Sequence, residues 1–126
     1  MKFMARMKPK NLFLTSLKIL MNQHQQTLDK WFKEKGWEYW SPLSILARLM
    51  EETGEFARLV NHLYGDKPKR DDEKEQNLEE EIGDILYTIM CFANSKKIDL
   101  DKAIQKTFDK VMKRDKDRYG KKETRL

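Results

Sequence analysis

An all-α fold, economically a four-helix bundle, is what this sequence predicts, on three observations. Glycine and proline are scarce, five and three in 126 residues, and fall mostly where helices would begin or end. Four segments carry apolar residues at three- and four-residue spacing. The connections between them are short or moderate, which suits helices packed side by side.

The first helix is expected from about Thr15 to Lys35, closed by Gly36, with Leu17, Leu20, Met21, Leu28, Trp31 and Phe32 as its apolar side. The second opens at Ser41-Pro42, a hydroxyl N-cap followed by proline in the first turn, and ends at Tyr64-Gly65. After a polar loop through Asp72, a third helix is expected over Glu73 to Ser95. Asp99 or Asp101 caps the fourth, which reads as far as Tyr119-Gly120. No internal repeat, low-complexity tract or domain linker is visible. The reading is one domain over residues 15–120, with a basic arm over residues 1–14 and a basic tail over residues 121–126.

Composition removes several classes. Charged residues make up 37% and mean hydropathy is -0.86, yet 39% apolar content with three Trp, four Tyr and six Phe supplies a core. The single cysteine, Cys91, excludes an intrachain disulfide and a Cys-rich zinc site, and it fits a reducing compartment such as the cytoplasm. The longest uncharged apolar stretch, Ile85 to Ala93, has nine residues, against the ~20 a membrane helix needs. Lys2, Arg6, Lys8 and Lys10 before Leu12 faintly imitate a signal peptide, but Lys18 interrupts the apolar part and no small-x-small site follows.

The net charge of +5 conceals an acidic centre between basic ends: residues 51–84 carry -7 and residues 102–126 carry +6. The densest cluster is acidic, so nucleic acid is a poor candidate partner despite the pI near 9.2.

In the second helix, Ile45, Leu49, Phe56, Leu59 and Leu63 form a buried stripe, and Glu52 occupies a position in it that should be apolar. Glu51 and Glu55 reach overlapping faces. In the third helix, Glu81 and Asp84 lie beside a stripe of Leu78, Ile82, Ile85, Ile89 and Phe92. Converging carboxylates must protonate or bind cations, and oxygen-only ligands favour Mg²⁺ or Mn²⁺. Glu52, Glu55, Glu81 and Asp84 are therefore the candidate metal ligands. Glu73, Glu75, Glu79 and Glu80 read instead as a solvated face. Gly54 and Gly83 lie inside the two carboxylate pairs; mid-helix glycine costs about 1 kcal/mol, and close backbone approach is the expected return.

Other chemistries are poorly supported. Met21 and Leu59 stand where a Glu-x-x-His motif would need glutamate before His24 and His62. No P-loop is present. The segment Arg48 to Gly54 only superficially matches a Nudix box. Two histidines and one cysteine, far apart, make a poor nucleophilic triad.

Glu51-Glu52-x-x-Glu55, followed after 25 residues by Glu81-x-x-Asp84, resembles the signature of the MazG-like all-α nucleoside triphosphate pyrophosphohydrolases. The resemblance runs from about residue 22 to 120. It includes Tyr39-Trp40-Ser41-Pro42-Leu43, Ala47 to Glu55, Asn61 to Lys69, and Arg114 to Tyr119. It implies a Mg²⁺-dependent enzyme converting an NTP or dNTP to monophosphate and pyrophosphate in nucleotide-pool house-cleaning. Glu52, Glu55, Glu81 and Asp84 would be ligands, and Glu51 a further ligand or the group that orients water. It also implies a homodimer or dimer of dimers, with two subunits completing each site.

The remaining roles follow from charge and shape. Glu51 or Glu52 is the candidate general base. Lys110, Lys113, Arg114 and Arg118, with Lys67 beside Lys69 and Arg70, are the candidate phosphate contacts; arginine's fork ranks Arg114 and Arg118 first. Trp37, Trp40 and Tyr87 are candidates to stack on a base, with Asn61 and His62 for polar contacts to sugar or base. Trp31 and Cys91 read as core. The competing reading is a non-catalytic helical oligomer that binds nucleotides or nucleic acid through its basic ends.

Overall fold

The computed structural model describes the backbone of residues 9–119 and the side chains of residues 21–119. The described residues form four helices and no strand: α1 (Pro9–Lys35), α2 (Pro42–Tyr64), α3 (Leu78–Ser95) and α4 (Leu100–Arg114). The all-α expectation and the order of elements hold. Of the expected arm and tail, residues 1–8 and 121–126 lie outside the described residues, as do the side chains of Leu17 and Leu20.

The expected boundaries shift in three places. α1 begins at Pro9 and not Thr15, so residues 9–14 continue the helix upstream. α3 begins at Leu78 and not Glu73, because Asn77 caps it, its Oδ1 accepting from Glu80 N at 2.8 Å. α4 stops at Arg114, where Asp115 N donates to Val111 O at 2.9 Å, and the chain leaves in turns before Tyr119.

The described residues divide into two compact units, 9–24 with 99–119, and Gln25–Ile98. In the second, α2 packs on α3. Its buried apolar residues are Leu28, Ile45, Leu59 and Ala93, and among them lie the buried polar residues Gln25, Glu52, Glu81 and Thr88. α1 closes in a Schellman motif: Trp37 N donates to Phe32 O at 2.9 Å and Gly36 N to Lys33 O at 3.1 Å, with Gly36 at φ +66°. That turn launches the segment Trp37–Ser41 toward the start of α2. Ser41 is the N-cap and Pro42 the first helical residue, as expected.

A polar network pins this segment to α1 and α3. Tyr39 donates to Asp29 Oδ1 at 2.5 Å and accepts from Asn94 Nδ2 at 3.0 Å. Asn94 also donates to Gln25 O at 2.9 Å, while Gln25 Nε2 donates to Asn94 Oδ1 at 3.0 Å and Ile98 O at 2.8 Å. Burial first, then the bond to Asp29, pushes the Tyr39 hydroxyl up to about 12, so it is a fixed donor. Phe32 stacks on Tyr39 at 4.5 Å between centroids, and Trp31 packs edge-on to Trp37 at 5.1 Å. Trp31, expected in the core, is 43% exposed and serves this surface cluster instead.

In the other unit Asp99 caps α4; its Oδ1 accepts from Asp101 N at 2.9 Å and Lys102 N at 3.3 Å. No helix among the described residues is long and apolar enough to cross a membrane.

Candidate active site

Glu52 sits at the buried register of α2 and Glu81 at the buried register of α3, so the packing of the two helices brings the carboxylates face to face. Glu55, one turn beyond Glu52, completes a set whose ligand oxygens all lie within 4.8 Å of one another. The two helices meet through acids and not beside them. The buried line of α3 is Glu81, Thr88 and Ala93, whereas Ile82, Ile89 and Phe92, expected in the stripe, are exposed. Leu63 of α2 is likewise exposed. Among the described residues, Gly54 and Gly83 have nothing within 4 Å of where a Cβ would stand, so the expected close backbone approach is not seen there.

The electrostatics are those of a site short of positive charge. Glu81 Oε2 is buried without a hydrogen-bond partner among the described residues. Burial, followed by Glu55, Asp84, Glu52 and Glu80, holds the Glu81 carboxyl above its ordinary range. The α3 N-terminus offers a partial positive charge to Glu81 in its first turn. Among the described residues a single cation touches the cluster: Arg48 Nε donates to Glu52 Oε1 at 2.5 Å. An orphaned buried oxygen within an all-oxygen donor set fits a hard divalent cation. Asp84 is exposed and acts on Glu81 through its charge, but its carboxylate is not one of the three that converge. Glu51 is exposed on the adjacent face and adds to the negative field at Arg48.

Beside the carboxylates lies a cavity of about 340 Å³, within the usual size range of ligand sites. Phe32 and Trp37–Trp40 wall one side; Ile45 and Arg48 of α2, and Tyr87, Thr88 and Cys91 of α3, wall the others. Trp37, Trp40 and Tyr87 are thus brought together, half or more of each tryptophan being exposed. Cys91, expected as core filler, lines this cavity, and burial raises its thiol above the ordinary range. Asn61 is elsewhere: it stands nine residues past Glu52, about 13 Å along α2, tucked under Gly65. A Cβ at Gly65 would meet Asn61 Oδ1 at 2.0 Å.

A family model described as the MazG nucleotide pyrophosphohydrolase domain matches residues 40–119, which span α2, the acids of α3 and α4. The chain belongs to this family. It is 46% identical over 103 residues to the uncharacterized protein YpjD of Bacillus subtilis, covering 82% of the chain and 93% of that protein. A second uncharacterized protein of that organism, YvdC, is 35% identical over 97 residues, with 68% and 91% covered. The crystal structure of YpjD superposes with a TM-score of 0.65 at 43% identity, covering 72% of this chain and 91% of that one. The Bacillus-conserved MazG protein, a nucleotide pyrophosphohydrolase, gives a TM-score of 0.59 at 35% identity, covering 84% and 95%. This MazG domain is accordingly a pyrophosphohydrolase.

The remaining candidates of the MazG domain fall into two groups. Arg114 closes on Asp115 with two bonds, Nε at 2.9 Å and Nη2 at 2.8 Å, and Arg118 reaches the same carboxylate at 3.2 Å. These arginines hold Asp115 below its ordinary range. Lys110 and Lys113 are exposed on α4. The loop bearing Lys67 is organised by Glu73. Its Oε1 accepts from Arg58 at 2.9 Å and pairs with Arg70 at 3.3 Å, and its Oε2 lies 2.8 Å from His62 Nε2. His62 Nδ1 is 3.1 Å from Lys67 O, so His62 clasps the loop. Glu73, expected on a solvated face, is the anchor, whereas Glu75 pairs with Lys69 at 2.8 Å. Arg48 and the Tyr39–Asn94–Gln25 network were not anticipated. The i,i+4 spacing of Arg48 to Glu52 is the one signal, a weak one, that the sequence carries for the first.

Proposed function

We propose that this domain hydrolyses a nucleoside triphosphate to the monophosphate and pyrophosphate with Mg²⁺, or Mn²⁺ in its place. The observation that carries this reading is the convergence of Glu52, Glu55 and Glu81, with Glu81 Oε2 orphaned, next to an aromatic-walled cavity. Glu52, Glu55 and Glu81 hold the cation, with Asp84 as a further ligand. Bound there, it would supply charge neutralisation and Lewis acidity toward the phosphate oxygens.

The chain's own groups do the rest. Trp37, Trp40 and Tyr87 bind the base, and the Tyr39 network fixes the segment that carries two of them. Glu51 serves as general base, because Glu52 is committed to the cation. It takes a proton from water as the water oxygen attacks the α-phosphorus; the bond from that phosphorus to the bridging oxygen breaks, and the electrons leave with pyrophosphate. Lys67 meets the phosphate charge.

Self-association belongs to the same reading. Leu43, Leu46 and Met50 on α2 and Ile82 and Leu86 on α3 are 45% to 78% exposed, an apolar surface that a second copy would cover. The test is a ribo- and deoxynucleotide panel assayed for pyrophosphate with Mg²⁺. Release that is lost in Glu52→Gln and sharply reduced in Asp84→Asn supports the reading; release of orthophosphate alone, or full activity in Glu52→Gln, overturns it.

A further inference from the structure

Arg48 joins the two halves of the site. Its Nε donates to Glu52 Oε1, and the same side chain forms part of the cavity wall. The Glu52 side chain is 6% exposed, that of Arg48 49% exposed, so the arginine bridges a buried acid and an open space. Among the described residues the guanidinium makes no other hydrogen bond, which leaves its Nη donors for an acceptor arriving from the cavity.

Buried carboxylates at a helix interface need positive charge at every stage of a catalytic cycle. Before a divalent cation arrives, Arg48 is the positive group hydrogen-bonded to the cluster. A nucleotide whose base fills the cavity and whose phosphates reach the carboxylates must pass this residue. Its phosphate oxygens fit the guanidinium fork better than a single carboxylate oxygen held through Nε.

We infer that Arg48 is an exchangeable internal counter-ion: it holds Glu52 in the nucleotide-free enzyme and transfers to the phosphate chain when nucleotide and cation enter. The inference rests on the assignment of cluster and cavity under Proposed function. It carries an unusual signature. Without nucleotide, Arg48 competes with the cation for Glu52; with nucleotide, it assists binding. An arginine that only props up α2 would have effects of one sign.

The experiment uses the full chain, with Mn²⁺ alone as one probe. The other is an α,β-imido nucleoside triphosphate, chosen as the tightest-binding of a ribo and deoxy panel. Both are titrated calorimetrically into wild type, Arg48→Met and Arg48→Lys, with thermal melts to confirm folding. Arg48→Met should bind Mn²⁺ roughly three- to tenfold more tightly, as expected from removing one nearby positive charge. It should bind the analogue roughly tenfold or more weakly, the loss of a charge-assisted phosphate contact. Arg48→Lys, which keeps the charge but not the fork, should hold Mn²⁺ within about twofold of wild type and still weaken the analogue. Weakening of both probes in Arg48→Met, or unchanged analogue affinity in both variants, overturns the exchange while leaving the cluster assignment standing. Failure of wild type to bind Mn²⁺, with Glu81→Gln no different, overturns the cluster assignment and the exchange with it.

Discussion

Glu81 buries a carboxylate with one oxygen unpartnered among the described residues and other acids on several sides, and its pKa is raised, by burial first. The sign of the consequence is fixed. An acid whose folded pKa lies above its unfolded value favours the fold at low pH and loses that contribution as pH rises through the folded pKa. Metal-free protein should therefore lose stability as pH climbs out of the ordinary carboxylate range, and Mg²⁺ should restore it at neutral pH. Glu81→Gln should raise the melting temperature of metal-free protein by roughly 2–6 °C, the shift that about 1 kcal/mol gives in a domain of this size, and should abolish the Mg²⁺ increment. Thermal melts with and without Mg²⁺ check both. Glu52 was legible because a charge stood in an apolar register. Arg48 was not, since an exposed i,i+4 pair usually contributes little, and its weight here comes from burial of Glu52 and from the cavity beyond, neither visible in one dimension.

At the scale of elements, α3 shows why boundaries slipped. Residues Glu73 to Gln76 have good helical propensity, but Glu73 is drawn to Arg58, His62 and Arg70, and Asn77 starts the helix instead. The far end of α3 closes in a Schellman motif, Ile98 N donating to Ala93 O at 2.8 Å, with Lys97 at φ +54° in the position that favours glycine. Lys97→Gly should stabilise the domain by about 0.5–1 kcal/mol, read from denaturant midpoints. Asn77→Ala should cost about 1 kcal/mol by the same measurement, and it should lower Mg²⁺ affinity because the cap also orders the first turn that carries Glu81. The Ser41-Pro42 start and the Gly36 stop were legible because cap chemistry is local. The early end of α4 was not, because it depends on Arg114 and Arg118 sharing Asp115.

For the whole molecule, four helices and an acidic meeting of the second and third could be read from periodicity, but the lateral register of α3 could not. Its most apolar residues point away from α2, and an apolar residue looks the same whether it faces its own chain or another. Gly54 and Gly83 belong with that surface, since none of the described residues approaches them. Gly83→Ala should raise helix stability by about 0.5–1 kcal/mol in the monomer while weakening self-association, and Leu86→Glu should shift sedimentation toward the monomer without lowering the melting temperature of that monomer. The central claim is that three converging carboxylates hold the cation that turns triphosphate into monophosphate and pyrophosphate. The most direct measurement is Mg²⁺-dependent pyrophosphate release by wild type and Glu52→Gln on the nucleotide panel. The account predicts pyrophosphate and monophosphate in equal amounts from wild type and a loss of about a hundredfold or more in the variant; equal rates in the two proteins, or a wild type that releases no pyrophosphate, would contradict it.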